Sequence, residues 1–120
     1  MKDLQLGLVE ARFADIIWHN EPLSSAELAK LSEEQLNWKK TTTYTVLKRL
    51  CDKGIFQNLK GTVTSVISKS EFYSLKSEKF VDETFKGSLP AFLAAFCSRK
   101  SLTSEEISAL RELVEQYGEE

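Results

Sequence analysis

Residues 38–54, Trp-Lys-Lys-Thr-Thr-Thr-Tyr-Thr-Val-Leu-Lys-Arg-Leu-Cys-Asp-Lys-Gly, constrain the fold more than any other stretch of the chain. Thr43, Val46, Leu47, Leu50 and Cys51 recur at i, i+3, i+4, i+7 and i+8, the spacing of a helix that packs one stripe onto a core. Gly54 predicts the stop, because glycine enters the left-handed region after a helix without steric cost. The opposite face carries Thr41, Thr42, Tyr44, Thr45, Lys48 and Arg49: hydroxyls, one aromatic ring and two cations, with no carboxylate. Lys39, Lys40, Lys53 and Lys60 flank it. A face of donors inside a rim of cations suits a helix lying against phosphates and base edges.

Charge is distributed to the same effect. The formal net charge is −2, which argues against a nucleic-acid binder until it is mapped along the chain. Residues 37–70 hold seven basic residues and one acidic, a local charge of +6, whereas residues 1–36 and 71–120 are each at −4. A phosphate backbone responds to the local field, and all of the positive field lies in the segment that carries this helix.

The elements before and after the helix define a fold class. Leu6, Val9, Phe13, Ile16 and Ile17 share one face of a first helix running from Leu6 to His19, with Trp18 near its end and expected to pack on the next helix. Asn20-Glu21-Pro22 breaks it. Ser24 and Glu27 have capping-box spacing and open a second helix through Leu28 and Leu31 toward Gln35. After Gly54, Ile55–Leu59 and Thr62–Ile67 are rich in β-formers, with Lys60-Gly61 as a tight turn between them. Three helices and a two-stranded ribbon make a winged helix–turn–helix, with the hairpin as the wing.

The last third predicts helices of a different purpose. Ser68 and Glu71 open a helix bearing Phe72, Leu75, Phe80, Val81 and Phe85, which Gly87-Ser88 ends. Pro90 suits the first turn of another helix, bearing Leu93, Phe96 and Cys97, and Thr103 and Glu106 cap a final one with Ile107, Leu110, Val114 and Tyr117 in one stripe. Some 50 amphipathic residues are too few to promise an independent core. Pairing with a second copy resolves this, so residues 71–120 are expected to form a helical dimerisation region following a DNA-binding domain at 1–70. The alternative is that these helices fold back on the N-terminal domain. The expected class is therefore mainly α with a small β-hairpin wing.

Several chemistries are missing. With 42% hydrophobic and 28% charged residues the chain reads as globular, and no apolar run approaches the roughly 20 residues of a membrane span. The N-terminus lacks a signal-peptide pattern, so a cytoplasmic location without membrane insertion is expected. Cys51 and Cys97 lie far apart on apolar faces and read as reduced core residues. His19, the single histidine, has no second ligand near it in sequence, so no metal or other cofactor is expected. No nucleophilic constellation or phosphate-binding glycine loop is present, and the chain is not expected to be an enzyme.

Roles on the basic helix follow from position. Thr41, Thr42, Tyr44 and Thr45 occupy the first exposed turns, where a recognition helix comes nearest to bases; threonine methyls can meet thymine methyls and hydroxyls can bond phosphate or base edges. Tyr44 can serve either base or phosphate. Lys39, Lys40, Lys48, Arg49 and Lys60 form a phosphate-contacting set, although Arg49 could instead pair with an acidic residue of the second or final helices. Lys53 suits the C-terminal end of the helix dipole. A winged-helix protein-interaction module without a DNA target explains the fold equally well, but not the carboxylate-free face.

Ile16-Ile17-Trp18, Leu28-Ala29 and the block from Trp38 through Lys40-Thr41-Thr42, Tyr44-Thr45, Leu47, Arg49-Leu50 and Lys53-Gly54 resemble the penicillinase-repressor family of the BlaI and MecI type. The resemblance extends over nearly the whole chain in the order of its elements. It implies a homodimeric winged-helix repressor whose third helix enters the major groove of a palindromic double-stranded operator, silencing β-lactam-resistance or related stress genes. It also implies inactivation by a membrane sensor protease that triggers cleavage in the dimerisation region, for which the bond matching by position is Ala95–Phe96. Asparagine precedes that phenylalanine in well-known members, and Ala95 stands here. No cysteine follows Cys97, so the paired C-terminal cysteines of the copper-responsive branch are missing. Lys39 replaces a serine that would cap the third helix, and the wing lacks the aromatics common in relatives.

Overall fold

In the computed structural model, residues 4–119 are described, and they form six helices and a small sheet in the order α1 (Leu8–Asn20), β1 (Leu23–Ser24), α2 (Ser25–Leu36), α3 (Lys40–Asp52), β2 (Phe56–Leu59), β3 (Thr62–Ser65), α4 (Lys69–Phe85), α5 (Leu89–Cys97) and α6 (Ser104–Tyr117). The chain divides into two compact units between Ser77 and Glu78, inside α4. The sequence suggested a division after residue 70. Phe72 accounts for the difference: it is fully buried in the first unit's core, so the opening turns of α4 belong with the winged helix.

Local chemistry explains most boundaries of the first unit. The backbone N–H of Gly7 donates to Glu10 Oε1 at 3.1 Å, which satisfies a free donor at the start of α1. The helix therefore begins at Leu8, two residues later than the apolar pattern suggested, and Val9 on its first turn is exposed rather than packed. Ser24 and Glu27 close the expected capping box on α2: Glu27 N–H donates to Ser24 Oγ at 3.0 Å. Asn37 ends α2 in the left-handed region at φ 57°, where its short polar side chain is tolerated, and Trp38 and Lys39 complete the turn into α3. Lys39 occupies the N-cap position of α3 with no side-chain hydrogen bond, as its lack of an acceptor requires.

The hairpin turns at Lys60 and Gly61, both at positive φ (54° and 87°), the combination that matches the twist of antiparallel strands. Asn58 Oδ1 accepts from the Gly61 N–H at 3.0 Å and braces the turn. Strand β3 lies between β1 and β2, antiparallel to both, with Leu23 opposite Val63 and Phe56 opposite Ser65. The wing is thus anchored on a third short strand that the sequence pattern did not announce. Glu21 adds to the anchor, since Ser65 donates to its carboxylate from both N–H and Oγ at 2.8 Å.

Phe13, Ile17, Leu28, Leu50, Phe56 and Phe72 are fully buried and form the centre of the first unit's core. Trp18 was expected to pack on the next helix. Its ring instead lies 5.2 Å from Phe56 and 5.4 Å from Phe72, and its Nε1–H donates to the Ile67 carbonyl at 3.1 Å. An indole packed against a core places its N–H on an acceptor, and the end of the wing supplies one to the half-buried Trp18. Lys69 bonds Asp15 at 2.9 Å beside it, so α1 holds both the wing and the start of α4.

The second unit has another character. Phe80, Phe85 and Phe92 pack edge to face at 5.6–6.0 Å. Ser88 caps α5, Pro90 lies in its first turn, and Thr103 with Glu106 forms the capping box of α6. Among the described residues, no side chain of α5 or α6 is fully buried. Val114 and Tyr117 are 70% and 74% exposed, and Leu89, Phe96 and Leu113 are also open. Cys97 is exposed as well, which corrects the expectation of a core thiol there; both cysteines are free. Among the described residues no helix is long and apolar enough to cross a membrane.

Candidate nucleic-acid interface

The outward face of α3 is built by burying one stripe of the helix and leaving the remainder outside. Thr43, Val46, Leu47 and Leu50 are buried, while Cys51 is half-buried at the edge of the stripe. Burial of four side chains on one side fixes the rotation of the helix about its axis. Thr41, Thr42, Thr45, Lys48 and Arg49 are exposed as a result, with Lys39 and Lys40 exposed at the N-terminal end. These residues form one continuous outward surface. Its two flanks differ.

On the flank facing the wing, Tyr44 is half-buried and the Lys40 ammonium sits 5.7 Å above its ring. Tyr44, Leu47, Lys48 and Cys51 line an open cleft of about 540 Å³ whose other wall is Ser25 of α2 and Asn58 of β2. Ser25 N–H donates to the Gly61 carbonyl at 2.9 Å, so the far wall is tied to the wing turn. Lys60, at that turn, is exposed. The cleft lining contains hydroxyls, an amide and an ammonium and no carboxylate, so the electrostatics favour an anion.

The helix departs from the expected surface in three places. Asp52 ends α3 and lies 4.0 Å from Lys48, both well exposed, so the carboxylate-free face covers the first three turns and not the last. An exposed pair at that distance is worth little and leaves Lys48 available. Thr45 Oγ1 donates to the Thr41 carbonyl at 2.9 Å, which commits its only hydroxyl proton and leaves a methyl and lone pairs outward. Arg49 has found an acidic partner, but on the first helix rather than the second or final one: its Nη1 lies 3.0 Å from Glu10 Oε2.

Glu10 is the residue that sequence reasoning missed. The Gly7 N–H, then Arg49 and Lys53, hold its carboxyl below its ordinary value of 4.5, against the opposing effect of burial. Lys53, expected only to complement the helix end, donates to the Gln5 carbonyl at 2.6 Å and lies 4.0 Å from Glu10. No signal in the local pattern could have paired positions 39 residues apart. Cys51 is unsuited to nucleophilic chemistry, because burial pushes its thiol up and Asp52 adds to the effect. Among the described residues, no group of histidine, cysteine and carboxylate side chains could hold a metal ion.

The dimerisation residues expected in the sequence lie along α5 and α6. Phe96, Ile107, Val114 and Tyr117 are exposed, and Leu93 and Leu110 are half-buried. Two apolar grooves of about 320 Å³ flank α6 and share Leu102 and Leu110; one is lined also by Leu93 and Phe96, the other by Ile107 and Val114. Ala95 is exposed beside Phe96, within α5.

Known proteins are similar in sequence to this chain over nearly its whole length. The model of the penicillinase repressor family matches residues 6–116. The penicillinase repressor of Bacillus licheniformis is 27% identical over 117 residues, covering 94% of this chain and 91% of that one. The methicillin resistance regulatory proteins MecI of Staphylococcus aureus (strain Mu50 / ATCC 700699) and Mammaliicoccus sciuri are 24% and 23% identical, each over 94% of this chain and 95% of theirs. A winged helix with a basic outward helix and a match running from before α1 almost to the end of α6 leave one assignment: the chain belongs to the penicillinase repressor family of DNA-binding transcriptional regulators and is not an enzyme.

Proposed function

We propose that the chain is a cytoplasmic repressor that binds a palindromic operator as a homodimer and controls β-lactam-resistance or related stress genes. The observation that carries the reading is the outward surface of α3, where Lys40, Thr41, Thr42 and Thr45 are exposed on turns free of carboxylates. In this reading α3 enters the major groove. Thr41, Thr42 and Thr45 meet base edges, with the Thr45 methyl suited to thymine because its hydroxyl proton is already committed. Lys39, Lys40 and Lys48 neutralise phosphates, and Tyr44 lines the cleft through which one backbone strand would pass toward Lys60.

Dimerisation is supported by the second unit. A single copy leaves α5 and α6 without a fully buried side chain, while Phe96, Ile107, Val114 and Tyr117 present apolar surface. A second copy covering Leu93, Phe96, Ile107, Leu110, Val114 and Tyr117 would relieve this, and two-fold symmetry would match a palindrome with half-sites about one helical turn apart. The family relationship also suggests a membrane sensor protease as the inducing partner, with cleavage at Ala95–Phe96. That bond lies inside α5, so cutting it requires the helix to open locally, and cleavage would split the dimerisation surface.

The test is to measure mass by light scattering alongside duplex binding across a range of salt. A dimer whose binding constant falls steeply with salt supports the reading. A stable monomer with no affinity for duplex DNA at low salt would overturn it in favour of a protein-interaction module.

A further inference from the structure

The two flanks of α3 place their cations differently. Lys40 and Lys48, toward the wing, are exposed lysines on flexible stems. Arg49 lies on the other flank with Thr42 and Thr45, and it is held. Glu10 Oε2 accepts from its Nη1 at 3.0 Å, while Glu10 Oε1 accepts from the Gly7 N–H at 3.1 Å. The carboxylate is therefore fixed to the backbone at the start of α1 before it meets the guanidinium. Lys53 approaches the same Oε1 at 4.0 Å and itself donates to the Gln5 carbonyl.

Exposure separates the three partners. The side chains of Glu10 and Lys53 are 19% and 18% exposed, whereas that of Arg49 is 53% exposed. Glu10 and Lys53 are part of the scaffold. Arg49 is gripped through one nitrogen and open elsewhere. A guanidinium carries five N–H donors in a rigid fork, so a single bond to Glu10 leaves most of them for another acceptor. Holding the fork in place before binding lowers the conformational entropy lost when that acceptor arrives.

We infer that Glu10 is a positioning residue for DNA binding: it holds Arg49 so that the free edge of the guanidinium meets a backbone phosphate on the α1 side of α3. The inference rests on the DNA-binding reading above. It gives α3 a phosphate contact on each flank, with the wing-side lysines on one and the held arginine on the other. It also gives a carboxylate a favourable part in binding a polyanion, which simple charge repulsion would not.

The experiment compares Glu10→Gln, Arg49→Ala and the double variant with the unaltered chain, using a fluorescent mixed-sequence duplex titrated over a range of salt. Phosphate contacts do not depend on sequence, so no operator is required. Arg49→Ala should weaken binding about tenfold and reduce the salt slope by about one unit. Glu10→Gln should weaken binding about threefold although it removes a negative charge, with its melting temperature followed in parallel. In the Arg49→Ala background the same change should strengthen binding, because only repulsion remains to be relieved. Weakening of equal size in both backgrounds would make Glu10 a structural residue, and strengthening in both would make it a plain repulsive charge. Either result overturns the inference, as does an unchanged slope in Arg49→Ala. Failure of the unaltered chain to bind any duplex would instead defeat the DNA-binding reading, and this inference with it.

Discussion

Replacing Val114 by alanine tests whether the α6 surface contributes to the proposed self-association. Val114 is 70% exposed in a single copy, so truncating it removes little from the fold of the protomer. Val to Ala deletes two methyl groups, about 1.6 kcal/mol of burial if both leave water completely, and the exposed share makes that about 1 kcal/mol per protomer. Two-fold symmetry counts the site twice. The dimer should lose about 2 kcal/mol, which raises its dissociation constant about 30-fold. Val114→Glu should do more, because it would bury a carboxylate near its own symmetry mate or force the helices apart. Analytical ultracentrifugation over a concentration series gives the constant, and circular dichroism reports whether the protomer still folds. An unchanged dissociation constant in both variants, with the fold retained, would refute the assignment of α6 to the interface.

Other perturbations test other parts of the molecule. Lys40→Gln should weaken binding to every duplex and lower the salt slope by about one unit, measured by fluorescence anisotropy; an unchanged slope would remove Lys40 from the phosphate set. Thr43 is fully buried and its hydroxyl has no partner among the described residues, so Thr43→Val should raise stability by about 1 kcal/mol in urea unfolding, and a loss would show that the hydroxyl is satisfied. Glu10 has a lowered pKa in the folded chain, so its contribution to stability is present above its unfolded value and is lost as pH falls through the folded one. Glu10→Gln should therefore be less stable than the unaltered chain at neutral pH, with the gap closing as pH drops below about 4.5 in acid unfolding curves. A gap that persists unchanged at low pH would contradict the ionised pair.

The parts of the fold that the sequence disclosed are those specified by neighbours in the chain. The Ser24–Glu27 and Thr103–Glu106 boxes, the Lys60-Gly61 turn and the stripe from Thr43 to Leu50 each depend on residues a few positions apart. Strand β1 escaped because two residues carry no period; it exists only because β3 offers a free edge to Leu23 and Ser24. Trp18 could be placed on the core but not aimed, since its choice between α2 and the wing depends on where the Ile67 carbonyl falls. The outward placement of Thr41, Thr42, Thr45 and Lys48 was legible because the buried stripe dictates the other side of the same helix. The Glu10–Arg49 pair was not, because a surface cation reads the same in sequence whether it faces water or a distant carboxylate. The exposure of Cys97 was hidden for a related reason: an apolar stripe shows that a face will be covered, not which of its residues lie at the open edge.

Enriching random duplex DNA on the purified chain at moderate salt would show whether it is a two-fold repressor that reads sequence through α3. A two-fold repressor should recover a palindrome whose half-sites lie about one helical turn apart. Salt-sensitive retention without any enriched sequence would contradict the base contacts assigned to Thr41, Thr42 and Thr45, and no retention at low salt would contradict DNA binding altogether.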